Sequence, residues 1–345
     1  MNILIDIGHP AHVHLYKHMA RMLQQRGHRV WFSARKMPII QRLLDAEGFE
    51  YQTIGRKHRT LVGKALTVIH QLFWTIGFAW RHNIDVGLSS GIVQPIASTV
   101  TRMQAVMMDD DDDAVEPWVT HIGHPLCHSV LTPMAIRRRS KHACYYAGTH
   151  ELAYLHPCRF TPDPQVLQSA GIAAGERYFI VRFVALHGHH DIGEHSLTTE
   201  QKARLVKHLT RYGRPIITCE GKLPEVFEPY RLPVPPEQMH HLMAYATLCV
   251  GDSQTMTSEA AILGIPALKC NTFAKRLSVP DMLERHALCY SYLPEQFDAM
   301  LQQIDTLMAL PDHGRTLWTQ RRDAMLAEMT DVSTFVVDYI EHLSK

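Results

Sequence analysis

The chain opens on an apolar run over residues 3–7 that Gly8 ends, and Leu15, Met19, Met22 and Leu23 then recur at helical spacing until Gly27. Strand, loop and helix is therefore the first unit. Val30, Trp31 and Phe32 predict a second strand, Leu43 and Leu44 mark a helix that stops at Gly48, and residues 49–54 predict a third strand. Residues 85–89 and 105–108 continue the series, with the Ser90-Gly91 loop and a helix over 94–103 between them, and the alternation runs to about residue 148. Strands alternating with helices imply a parallel, doubly wound sheet.

Over 151–164 the prolines Pro157, Pro162 and Pro164 forbid regular structure and suit a crossover between domains. Beyond it the pattern restarts, with strands over 178–183, 215–219 and 248–251 and helices over 198–212 and 236–246. Past Pro280 the chain reads as mostly helical, ending in helices over 316–345. The pattern gives one Rossmann-like domain over 1–157 and a second over 165–345, whose terminal helices pack back on the first. The length of 345 residues agrees, since single cores stop growing at roughly 250 to 300.

Residues 61–80 are rich in large apolar side chains but are interrupted by Lys64, His70 and Gln71. That falls short of the roughly 18 to 20 uninterrupted apolar residues of a membrane span. A helix packed on the core is the first expectation and peripheral membrane contact the alternative.

Lys and Arg number 35 against 34 Asp and Glu, so no overall field draws nucleic acid. Seven cysteines, an odd number with no CxxC pair, read as buried thiols of a reducing compartment. With no signal-peptide pattern at the N-terminus, the expectation is cytoplasmic.

The most informative segment is Gly251-Asp252-Ser253-Gln254-Thr255, which leads from a strand into a helix that stops at Gly264, with Pro266 beyond. Such a loop presents unpaired backbone N–H groups at the positive end of a helix dipole, where a diphosphate is favoured. Glu259, about one turn in, is expected to face the same mouth and accept hydrogen bonds from a ribose diol. The alternative is that Ser253 or Thr255 only caps the helix and Glu259 is an early-turn acid.

Arg182 ends the strand over 178–183, and His187, His189 and His190 follow it, so Arg182 or His190 is placed to neutralise donor phosphates. Neighbouring histidines in one loop are poorly spaced for zinc. Asp109 to Asp113 are five consecutive carboxylates after a strand. Their mutual repulsion raises at least one pKa or gathers a divalent cation, although the sequence fixes no ligand set and implies no cofactor. Asp110 or Asp109 is a natural general base for an acceptor hydroxyl, with His12 as competitor.

The 251–266 segment resembles the donor-binding loop of GT-B proteins and the DSGG-x-x-EE-A-x-x-x-G-x-P stretch of UDP-N-acetylglucosamine 2-epimerases. Asp252, Ser253, Glu259, Gly264 and Pro266 match, while Gln254 and Thr255 replace the paired glycines. The opening Gly8-His9-Pro10-Ala11-His12-Val13 resembles the glycine-rich GGTGGHV loop of the peptidoglycan N-acetylglucosaminyltransferases, with His12 on the matching histidine. Over nearly its full length the chain is similar to the prokaryotic family called domain of unknown function 354.

These resemblances imply a GT-B fold of two Rossmann-like domains with an interdomain cleft that holds a nucleotide-activated sugar. They imply a glycosyltransferase of surface polysaccharide or glycoconjugate synthesis, with an acceptor sugar or lipid-linked glycan as second substrate. Gly8, His9, Asp109, His190, Ser253, Gln254, Thr255 and Glu259 would bind substrate, and His12, Asp110 and Arg182 would serve catalysis. A sugar-nucleotide 2-epimerase or hydrolase, or a binding protein without chemistry, are the other readings.

Overall fold

A computed structural model describes residues 1–56, 60–136, 138, 140–184, 197–219, 223–274 and 276–343. The chain divides into two compact units, Met1–Arg159 with Thr330–Lys345, and Phe160–Met329. The sequence pattern placed 165–345 in one domain with its terminal helices packing back on the first; in the structure, residues from Thr330 onward group with the first unit.

The first unit is built on seven parallel strands: β1 (Asn2–Ile7), β2 (Arg29–Lys36), β3 (Tyr51–Arg56), β4 (Val86–Ser89), β5 (Gln104–Met108), β6 (Ser129–Pro133) and β7 (Ala143–Tyr146). Their order is β3-β2-β1-β4-β5-β6-β7, and every pairing is parallel. Such strands are covered on both faces, which is why Ile3, Leu4, Ile5 and Ile7 of β1 are all fully buried. The direction of winding reverses between β1 and β4, and the carboxyl ends of strands at such a point open a crevice that ligands use.

The second unit carries β8 (Tyr178–Phe183), β9 (Arg214–Cys219), β10 (Leu248–Gly251), β11 (Ala267–Cys270) and β12 (Cys289–Tyr292). They are parallel throughout in the order β12-β11-β10-β8-β9, so the reversal here falls between β8 and β10. The doubly wound reading holds in both units.

Beyond Pro280 the described residues are mostly helical, as expected, with the short β12 added to the sheet beside β11. Two local expectations need correction. The helix foreseen over 94–103 ends at Ser98, and residues 99–103 turn directly into β5. Within 151–164 a short helix, Leu152–Leu155, forms ahead of the first proline with all four side chains buried.

The helix Leu61–His82 is capped by Thr60, whose hydroxyl accepts the Gly63 N–H at 3.2 Å, and it ends at Asn83 in the left-handed region. One face seats Phe78 and Ala79 in a core with Leu4, Ile84, Ala97 and Met103. The opposite face stays exposed, so core packing accounts for only half of this helix. No helix among the described residues is long and apolar enough to cross a membrane.

Candidate functional site

In the first unit the loop after β1 runs into the helix Pro10–Gln25, with His9 as N-cap accepting the Ala11 N–H through its ring at 3.3 Å. His12 Nδ1 accepts the Gly8 N–H at 3.3 Å. Burial, reinforced by the neighbouring His9 and His150, pushes the His12 pKa down to about 3. A neutral ring has one proton, and with Nδ1 accepting, that proton sits on Nε2. His12 therefore offers a hydrogen-bond donor, not a base. One turn on, the Tyr16 hydroxyl meets Ser90 at 2.8 Å and ties this helix to the loop after β4.

The acidic run after β5 is not a solvated loop, because its charges are matched from elsewhere in the chain. Asp109 is held by His124 Nε2 at 2.8 Å and by the Arg138 guanidinium at 3.1 Å, and its Oδ1 also accepts the Asp111 N–H at 3.0 Å. Arg138, whose side chain is buried, also pairs with Asp113 at 3.0 Å and donates to the Thr132 hydroxyl at the end of β6. Asp109 thus spends its acceptors inside the loop, which makes it an anchor more than a ligand contact. Asp110 pairs with His150 at 3.0 Å while its side chain keeps 34% exposure, enough to meet a substrate.

Burial opposes ionisation of Asp110, but His150 more than offsets it and lowers its pKa; burial likewise opposes protonation of His150, and Asp110 raises it. The two form an ion pair. One oxygen each of Asp109, Asp110 and Asp111 lie within 4.8 Å of one another, a spacing a cation could bridge. Arg138, His124 and His150 also bring positive charge to this run.

Burial, then Asp110, raises Glu151 to about 7, and burial, then Asp110 and Asp109, raises Asp111 to about 8. Both acids keep a proton in the folded state that the unfolded chain releases near pH 4. The folded state then binds more protons, so stability falls as pH rises through 7 and 8, and His150, with its raised pKa, adds in the same direction. His12 and His18, both lowered by burial, work in the opposite sense, but most of their contribution is already gained by pH 6.5 and it levels off about one unit above. The melting temperature is expected to drop between pH 6.5 and 8, with Glu151→Gln recovering roughly 1–3 kcal/mol at pH 8. A wild-type melting profile that is flat over that interval would refute this account.

In the second unit the helix Gln254–Ile262 starts beside the reversal point, with Ser253 as N-cap. The Ser253 hydroxyl accepts the Met256 N–H at 3.4 Å, and its carbonyl accepts the Thr257 hydroxyl at 2.7 Å. Ser253 and Gln254 are half-buried and Thr255 is exposed, so these side chains leave the helix mouth reachable. Asp252 sets this geometry. Its carboxylate accepts the Val184 N–H after β8 at 2.7 Å, and its carbonyl accepts from Asn271 after β11 at 2.9 Å, so one residue joins three strand ends.

Gly251 has to be glycine, since an added Cβ would lie 2.0 Å from the Arg182 carbonyl oxygen. The Arg182 backbone is thus locked to the loop, while its guanidinium donates to Thr218 of β9 at 3.0 Å. His190 lies outside the described residues.

Glu259 does not lie open at the mouth as the sequence suggested. It is buried, and its carboxylate meets His240 Nε2 at 2.9 Å. Residues 256–262 are all buried, so this helix has no solvent face along that stretch. Sequence reasoning also missed Lys269, which is 1% exposed and donates to Gln254 Oε1 at 3.1 Å from inside β11. Its signal was present as a lysine within the otherwise apolar Ala267-Leu268-Lys269-Cys270. His150 and Glu151 were passed over because they stand at the start of the crossover.

Two parallel-sheet α/β units make up a GT-B fold, shared with solved structures of glycosyltransferases and UDP-N-acetylglucosamine 2-epimerases. Residues 1–337 match the family described as "Protein of unknown function (DUF354)", and the chain belongs to that family. Comparison with curated proteins finds no match. Among solved structures the fold is shared with MnaA of S. aureus in its UDP co-structure, at 11% identity over 99% of this chain and 96% of that one, TM-score 0.70. It is shared with UDP-GlcNAc 2-epimerase of Neisseria meningitidis bound to UDP-GlcNAc, at 12% identity over 99% and 100%, TM-score 0.69. The spinosyn forosaminyltransferase SpnP is similar at 14% identity over 99% of both chains, TM-score 0.67.

Proposed function

We propose that the chain is a nucleotide-sugar-dependent glycosyltransferase that binds its donor on the second unit and activates its acceptor on the first. The observation that carries this reading is the reachable mouth of the Gln254–Ile262 helix at the reversal point, with the Glu259–His240 pair behind it. The first-turn N–H groups and the Thr255 hydroxyl would hold the diphosphate, favoured by the helix dipole. On donor binding the buried Glu259 would have to turn from His240 to take the ribose diol, and Arg182 would offset the charge that builds on the departing diphosphate. Asp110, held ionised by His150, would accept the acceptor's hydroxyl proton as that oxygen bonds the anomeric carbon and the bond to the diphosphate breaks. The uridine base, and an acceptor belonging to surface polysaccharide or a lipid-linked glycan, are part of the same proposal.

Calorimetry with UDP and UDP-GlcNAc tests the donor site. Glu259→Gln keeps an acceptor for His240 but removes the charge, and affinity is expected to fall about tenfold. Glu259→Ala is expected to lose about 2 kcal/mol, roughly thirtyfold. Unchanged affinity in both variants removes Glu259 from the donor site.

The match to the epimerase motif between Ser253 and Glu259 favours a second reading, a sugar-nucleotide 2-epimerase. Incubation without any acceptor separates the two: epimerised or hydrolysed sugar nucleotide supports the second, and turnover that requires an acceptor supports the first.

A further inference from the structure

The helix Leu61–His82 shows Val62, Leu66, Ile69, Phe73 and Trp80 to solvent, at 70%, 61%, 49%, 70% and 62% exposure. At 3.6 residues per turn these five fall within about 60° of one another around the axis, in a stripe about 27 Å long. Isolated exposed apolar side chains are ordinary, but a continuous stripe marks a surface that meets something. Trp80 donates its indole N–H to the Val100 carbonyl at 3.3 Å, and Val100, itself 55% exposed, prolongs the stripe.

Charge identifies what that surface meets. Between residues 51 and 84 the sequence has no Asp or Glu; Arg56, Lys57 and Arg59 precede the helix in sequence and Arg81 stands in its last turn, in a chain that is otherwise balanced at 35 basic against 34 acidic residues. Arg102, 60% exposed, stands close to the end of the helix and pairs there with Asp85, the first acid after this stretch. An apolar stripe in a stretch of sequence whose only charges are basic suits a layer of anionic headgroups over acyl chains. Two copies joined along the stripe would bring two such stretches of like charge together, which disfavours self-association.

We propose that this helix lies in the interface of an anionic lipid bilayer, its stripe at the acyl boundary, and holds the protein peripherally on the membrane. Phe73 and Trp80 are aromatic anchors at headgroup depth. The lysines and arginines supply attraction that weakens as salt rises. The inference stands on the helix alone and goes beyond the sugar chemistry proposed for the strand ends.

Co-sedimentation of the full-length protein with vesicles tests it, using phosphatidylcholine alone and phosphatidylcholine with about one third phosphatidylglycerol. Partitioning is expected to be at least roughly tenfold stronger on the anionic vesicles, to weaken with salt, and to fall tenfold or more in a Phe73→Ser, Trp80→Ser double variant. Both side chains are exposed, so the variant is expected to melt as the wild type does, which separates lost docking from lost folding. Wild-type protein left in the supernatant with anionic vesicles overturns the proposal, as does equal binding by the double variant or equal binding to both vesicle types. A dimer that the double variant breaks, with no vesicle binding, assigns the stripe to a second copy instead.

Discussion

Asp110→Asn is expected to lower turnover of a nucleotide sugar with its acceptor by about a thousandfold, within the range that loss of a general base produces. The amide keeps the size of the side chain but is a far weaker proton acceptor, and it leaves His150 without its ionic partner. Donor affinity is expected to stay unchanged, because the helix mouth that would bind the diphosphate belongs to the other unit. His12→Asn provides the contrast. A ring held neutral with its proton on Nε2 can orient a substrate oxygen but cannot deprotonate it, so a loss below about tenfold is expected there. Single-turnover rates for the two variants decide between them; a larger loss in the His12 variant would reverse the assignment.

The second large effect is on stability. Gly251→Ala is expected to cost the second unit 3 kcal/mol or more, because β8 and β10 approach so closely that the new methyl would overlap the Arg182 carbonyl. Backbone, not a flexible side chain, is what it strikes, so relief requires separating two hydrogen-bonded strands in the middle of the sheet. Differential scanning calorimetry is expected to show an early transition in this variant. A melting profile equal to the wild type would mean that the strands do not pack this closely.

The order of strands and helices could be read from the sequence because parallel strands covered on both faces are short, nearly continuous apolar runs, as in residues 3–7 and 178–183, where only Asp6 and Arg182 interrupt. β12 escaped because Cys289-Tyr290-Ser291-Tyr292 mixes polar and aromatic positions at the edge of its sheet. The acidic run was conspicuous, but its partners were not. His124, Arg138 and His150 reach it from other loops, and nothing in linear spacing announces that folding brings them together. The burial of Glu259 was hidden for a related reason. A helix enclosed nearly all round has no polar stripe, so its periodicity does not tell which side a lone carboxylate faces.

The chain leaves the first unit after Arg159 and returns to it at Thr330, and the two crossing points are fastened side by side. Arg159 Nε bonds the Asp331 carboxylate at 2.9 Å, and the Thr330 N–H bonds the Ala147 carbonyl at 2.8 Å. The closing helix, Val332–His342, then reaches back to the end of the first helix, where Asp338 and Glu341 pair with Arg26. During synthesis this helix leaves the ribosome some 170 residues after Arg159, an interval set by the length of Phe160–Met329. The amino-terminal half must wait, unfinished, while the inserted half folds, and a chaperone that shields nascent apolar surface would find its longest-lived target there.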